Sequence, residues 1–228
     1  MNHFDAFVFD CDGTLASIEG IVWLAKLNNC EEEIESLTEH AMSSGGINKA
    51  LYEKRLNTIR PTKQQCIDVG KAYIQHLTKD IQIVIQALQK LNKSIYIASA
   101  GILDSVVYLA NYLNIPSKNV CAVPLYFKDS GDYESFDHQH LMTKSDGKAT
   151  FIQSLKEKHQ HICAIGDGAN DLSMMTQADL FVGFGGNFYR ESIKNACKNY
   201  IDTKSMRPLL SLTLSSEEYT AIRSIEAN

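Results

Sequence analysis

Apolar residues follow two rhythms along the chain. Short unbroken runs lie at 4–9, ending on Asp10, and at 94–98 (SIYIA), 161–165 (HICAI) and 179–183 (DLFVG). Runs of that length suit strands buried on both faces. Between them, apolar residues recur every three or four positions. Ile81, Val84, Ile85, Leu88 and Leu91 share one helical face within 80–92, and 102–113 and 148–158 follow the same rule. Strands alternating with helices predict an α/β protein built on a Rossmann-like, doubly wound parallel sheet.

About 80 residues separate the first two runs, far more than one crossover helix needs. No strand pattern occurs there. One helix is predicted over 20–27. A second starts at Glu31-Glu32-Glu33, acids that suit a helix N-terminus, and stops before Ser43-Ser44-Gly45-Gly46. A third covers 48–59 and is ended by Arg60-Pro61. A fourth opens at Thr62, which stands at capping-box spacing from Gln65. Residues 1–15 and 80–228 therefore read as the core, and 16–79 as an inserted helical cap. The stretch 121–136 reads as a β-hairpin turning at 129–132.

Composition narrows the class. The chain has 228 residues; at roughly 100–200 residues per domain this favours one core with an insertion. With 44% hydrophobic and 21% charged residues it does not read as disordered, collagenous or coiled-coil. No apolar run reaches the ~18 residues of a membrane span, and the N-terminus lacks a secretory pattern. A net charge of −5 with scattered lysines argues against nucleic acid or anionic membranes as partners. The expectation is a cytoplasmic monomer or homodimer acting on a small molecule. Cysteines at 11, 30, 66, 121, 163 and 197 have no CxxC spacing and read as free thiols.

Candidate chemistry clusters at the ends of the runs. Asp10-Cys11-Asp12-Gly13-Thr14 follows the first strand directly. Paired acids there repel each other unless a cation joins them, and open α/β sheets build their sites at strand carboxyl ends. Gly166-Asp167-Gly168-Ala169-Asn170-Asp171 follows another strand and adds two acids and two glycines. Hard carboxylate oxygens suit Mg²⁺. Ser99-Ala100-Gly101 offers a hydroxyl and backbone N–H groups at an expected helix start, an anion-binding arrangement. Lys148, beside Gly147, opens a further helix. His138 and His140 follow the predicted hairpin and read as solvated loop residues rather than zinc ligands.

In this order, Asp10-x-Asp12-x-Thr14, Ser99, Lys148 and Asp167-x-x-x-Asp171 resemble the four motifs of the haloacid dehalogenase superfamily of phosphatases. From Phe7 to about Leu210 the chain is similar to one branch of it, the phosphoserine phosphatases. Glu19-Gly20-Ile21, Ala41-Met42, Lys49-Ala50, Arg55-Leu56, Leu113-Asn114-Ile115-Pro116, Leu155-Lys156-Glu157-Lys158 and Val182–Asn187 carry that similarity.

The resemblance implies Mg²⁺-dependent hydrolysis of O-phospho-L-serine, an amino-acid biosynthetic step, through an aspartyl-phosphate. Asp10 would be the nucleophile and Asp12 the general acid and base. Asp10, the backbone carbonyl of Asp12 and Asp167 would hold the metal, with Asp171 completing the site through a water molecule. Ser99, Ala100, Gly101 and Lys148 would bind phosphate. Glu19 would meet the substrate ammonium and Arg55 its carboxylate, a contact suited to a guanidinium. Met42 and Ser43 would flank the amino-acid part, and Asn170 the phosphate side. Gly13, Trp23, Asn48 and Ala100 depart from the family pattern. They keep open a second reading, a phosphatase or phosphotransferase for another small phosphomonoester such as phosphoethanolamine, phosphocholine, phosphohomoserine or a sugar or thiosugar phosphate. A third reading, a receiver-like regulatory module, is opposed by Asp12, which a receiver does not need, and by the cap.

Overall fold

The computed structural model describes residues 4–40 and 48–226. Eight strands occur among them: β1 (Ala6–Phe9), β2 (Ser94–Ile102), β3 (Val120–Val123), β4 (Leu125–Phe127), β5 (Tyr133–Phe136), β6 (Ile162–Gly166), β7 (Leu180–Phe184) and β8 (Asn199–Ile201). Six form one parallel sheet in the order β3-β2-β1-β6-β7-β8. The chain winds outward from β1 to one side and then from β6 to the other, so the order reverses between β1 and β6. A reversal of this kind opens a crevice at the strands' carboxyl ends. Register makes those ends level: Phe9 pairs with both Ile97 and Ile165. Every residue of β1 and β6 is buried, which is why their sequences are unbroken apolar runs.

Ten helices accompany the sheet among the described residues: α1 (Gly20–Leu27), α2 (Glu31–His40), α3 (Lys49–Ile59), α4 (Lys63–Gln75), α5 (Ile81–Lys90), α6 (Leu103–Tyr112), α7 (Gly147–Leu155), α8 (Glu191–Ala196), α9 (Pro208–Thr213) and α10 (Ser216–Glu226). The first four lie between β1 and α5. Their entry and exit strands run side by side: Ser17 N–H donates to His76 O at 2.8 Å and Thr78 N–H to Leu15 O at 3.0 Å. Helix α4 packs on α6, where the Ser105 hydroxyl donates to Cys66 O at 2.7 Å. The β4–β5 hairpin reaches the same helices, since Lys63 N–H donates to Gly131 O at 2.9 Å.

Local signals explain these boundaries. Asn48 caps α3 by accepting from Leu51 N–H at 3.0 Å. Arg60 ends that helix in the left-handed region, φ 47°, ahead of Pro61. Thr62 and Gln65 form the expected capping box, with bonds of 3.2 and 2.8 Å.

Three expectations need correction. The strand starting at Ser94 does not stop at Ala98 but runs to Ile102, so Ser99-Ala100-Gly101 lies on a strand end rather than a helix start. The small residues there interrupt the apolar run, and the register slips between Ala98 and Ile102. Residues 120–123 join the main sheet as β3, leaving the hairpin to β4 and β5; its turn does fall at 129–132, with Gly131 at φ 85°. The helix read over 148–158 ends at Leu155. All six cysteines are free thiols, and no described helix is long and apolar enough to cross a membrane.

The capping box gives a direct check on the inserted helices. Thr62→Ala removes one side of it and should cost about 1 kcal/mol, read as a lower urea midpoint at unchanged slope.

Candidate active site

Asp10 follows β1 and remains tied to the sheet, its N–H donating to Ile165 O at 2.9 Å. That bond aims its side chain into the crevice at the chain reversal. Gly166 ends β6 on the neighbouring strand, so Asp167 and Asp171 reach the same point. Asp10, Asp167 and Asp171 are all buried, and their carboxylate oxygens lie within 4.8 Å of one another. Lys148, near the start of α7, stands 2.6 Å from Asp10 Oδ1 and 2.5 Å from Asp171 Oδ1. The other oxygen of Asp171 accepts from the N–H groups of Asp167 and Gly168 at 3.0 and 2.9 Å. Arg190 bonds Asp167 Oδ2 and also its carbonyl oxygen, while Thr14 donates to Asp167 Oδ1 at 3.2 Å.

These acids carry more negative charge than the two cations offset. Burial, then repulsion from Asp171, pushes Asp10 well above the usual carboxylate range. The same two causes raise Asp167 to about 7. Three convergent hard-oxygen donors in that state fit a divalent cation, which would relieve the repulsion.

Asp12 faces the other way. Its Oδ1 accepts from the Gly20 N–H at the start of α1 at 2.5 Å and from the Tyr73 hydroxyl of α4 at 2.7 Å. Ser99 Oγ lies 3.5 Å from its second oxygen and itself accepts from Gly101 N–H at 2.9 Å. Burial raises the Asp12 pKa against the lowering effect of these two donors. A carboxyl so placed can hold a proton and release it to a group bound beside Asp10.

A pocket between the sheet and the inserted helices joins these groups. Asp10, Asp12 and Ser99 lie on the sheet side, and Glu19, Arg55 and Tyr52 face them from α1 and α3; Ala100, Gly101 and Asn170 also line it. Glu19 is partly buried, 3.5 Å from Arg190, and desolvation with repulsion from Asp12 and Asp167 raises it to about 8. Arg55 is 2% exposed. Among the described residues its Nη1 donates to Thr38 Oγ1 at 3.2 Å, while its Nε has no partner. The Tyr52 hydroxyl and Asn170 Oδ1 are likewise buried without partners among the described residues.

The geometry thus gathers Asp10, Asp12, Glu19, Arg55, Ser99, Ala100, Gly101, Asn170 and Lys148 around one cavity or its floor, with Asp167 and Asp171 behind. Met42 and Ser43 lie outside the described residues. His138 and His140 stand apart: His138 stacks on Phe136 at 4.0 Å and His140 accepts from Met142 N–H. Sequence reading misses Tyr73, Tyr52 and Arg190. Each tyrosine sits where a helical face is buried, so a core role is the obvious reading, and Arg190 lies in a loop with no periodic signal.

Known proteins resemble this chain in sequence and fold. The haloacid dehalogenase-like hydrolase family matches residues 4–179. The phosphoserine phosphatase of Homo sapiens is 38% identical over 199 residues, covering 86% of this chain and 88% of that protein. The phosphoserine phosphatase of Drosophila melanogaster is 34% identical, covering 85% and 73%. Among solved structures, a phosphoserine phosphohydrolase-like protein from Francisella tularensis superposes with a TM-score of 0.82 at 27% identity, covering 92% of this chain and all of that one. Motifs, fold and relatives agree, and the chain belongs to the haloacid dehalogenase-like hydrolases, among the phosphoserine phosphatases.

Proposed function

We propose that this protein is a Mg²⁺-dependent phosphatase that hydrolyses O-phospho-L-serine to L-serine and phosphate. One observation carries the substrate assignment: across one pocket, the paired acids Asp10 and Asp12 face a buried guanidinium whose Nε has no partner among the described residues, Arg55, and a partly buried carboxyl, Glu19. Phosphoserine offers the complementary set of phosphate, carboxylate and ammonium.

In this reading an oxygen of Asp10 attacks phosphorus as the ester P–O bond breaks. Asp12 gives its proton to the departing serine oxygen. Asp12, now ionised, takes a proton from water. The water oxygen attacks phosphorus, the bond to Asp10 breaks, and free phosphate leaves with Asp10 restored. Lys148, 2.6 Å from Asp10, orients the nucleophile and offsets phosphate charge. Ser99 and the adjoining amides hold phosphate oxygens. Asp10, Asp167 and the backbone carbonyl of Asp12 would hold Mg²⁺, with Asp171 completing the site through a water molecule, and the ion would supply charge neutralisation for the phosphoryl group. Residues 16–79 act as the specificity cap, because Glu19, Arg55 and Tyr73 all come from them.

Phosphate release with Mg²⁺ from L-phosphoserine and phosphoethanolamine tests the assignment; equal kcat/KM for the two would contradict it. Asp10→Asn should abolish release from both substrates, and retained activity would remove Asp10 as nucleophile. Arg55→Ala should lower kcat/KM for L-phosphoserine about 10²-fold, as expected for losing a charge-assisted contact. Turnover of phosphoethanolamine, which has no carboxylate, should change little. Tyr73→Phe leaves Asp12 with one fewer donor and should lower kcat roughly tenfold with little change in KM, since a hydrogen bond to a charged group is worth about 1.5–3 kcal/mol.

A further inference from the structure

Tyr52 sits one helical turn before Arg55 on α3, so both side chains leave the same face of the helix. Both are 2% exposed, and both line the cavity opposite Asp10 and Asp12. The Tyr52 hydroxyl and the Arg55 Nε are each buried with no partner among the described residues. A buried donor without an acceptor forfeits its hydration with nothing in return, and two on one helical face lining one pocket call for a ligand that accepts twice.

The tyrosine ring is held from the other side. It packs on Phe136 at the end of β5, with centroids 5.2 Å apart and planes tilted by 55°. The Arg55 guanidinium carbon lies 5.9 Å from the same ring's centroid. The hydroxyl is therefore aimed by the ring's packing and not by a hydrogen bond of its own. Burial raises the phenol's pKa, with the nearby Arg55 pulling the other way and Asp12 adding to the rise. The group remains a neutral donor at physiological pH.

We infer that the Tyr52 hydroxyl and the Arg55 Nε together form a two-point receptor for the substrate carboxylate, with Tyr52 a specificity-determining residue of this chain. The inference rests on the phosphoserine reading and adds a residue to it. A carboxylate presents two oxygens, and the pair gives one donor to each. Phosphate esters that lack the carboxylate gain neither bond, so the pair favours phosphoserine over them. Asn48 and Ala100, which depart from the family pattern, leave this pair untouched: Asn48 is spent on capping α3, and Ala100 belongs to the sheet side of the cavity.

Tyr52→Phe deletes the hydroxyl and keeps the ring against Phe136, so the fold should survive, with a melting temperature no lower than the wild type's as the check. Steady-state kinetics on L-phosphoserine and phosphoethanolamine with Mg²⁺ then separate the outcomes. The expected result is a KM for L-phosphoserine raised about tenfold or more, in line with a hydrogen bond to a charged group, with kcat and the phosphoethanolamine constants unchanged. An unaltered KM for L-phosphoserine, in an enzyme whose wild type prefers it, overturns the role of Tyr52 and leaves the substrate assignment standing. Equal losses on both substrates also overturn it, because they mark a structural effect. A wild type with no preference between the substrates overturns the phosphoserine reading itself, and this inference with it.

Discussion

Everything at this site depends on the contact between Lys148 and two buried carboxylates, Asp10 at 2.6 Å and Asp171 at 2.5 Å. Breaking it would leave uncompensated charge in the interior, which is strongly destabilising. It also ties α7 to the ends of β1 and β6, the two strands between which the chain reverses direction. The remaining excess of negative charge is left for ligands to settle. That excess makes the pocket receptive to a cation, and with the cation to a phosphate, in a chain whose overall charge is itself negative. Local sign and global sign carry different information: the net charge describes the whole chain, and the carboxylate cluster sets the field inside the pocket.

The second dependence runs through the inserted helices. Asp12 is held by Gly20 at the start of α1 and by Tyr73 near the end of α4. Asp12 is thus positioned by the same segment that presents Glu19, Tyr52 and Arg55 to the cavity. The paired linkers at Leu15–Ser17 and His76–Thr78 bring both ends of that segment to the edge of the sheet's active end.

The motif residues were legible in the sequence because each follows its strand or opens its helix within a few positions. Asp10, Asp12, Asp167, Asp171 and Lys148 need only local geometry to be placed. The capping box at Thr62 and the stop at Arg60-Pro61 were legible for the same reason. Tyr73 was not, because its partner Asp12 is 61 positions away and only packing of α4 against the core brings them together. Tyr52 hides for a related reason: a tyrosine on the buried face of a helix reads as core, and its unpartnered hydroxyl exists only once the cavity does. The last residues of β2 escaped because alanine and glycine after Ser99 break the apolar run. β8 escaped because three residues, Asn199–Ile201, are too few to show a period.

The central claim is that buried carboxylates are held here in mutual repulsion until a cation joins them. An acid whose pKa is raised by folding, as Asp167 is to about 7, binds more protons in the folded chain than in the unfolded one. Its stabilising contribution is complete below the unfolded value of about 3.9 and is lost as pH rises toward the folded value. The direct test is the melting temperature with chelator and with Mg²⁺ at about pH 5 and about pH 8. The account predicts that Mg²⁺ raises the melting temperature more at the higher pH, and that Asp167→Asn removes most of the difference. A Mg²⁺ effect that is absent, or that is the same at both pH values and in Asp167→Asn, would contradict it.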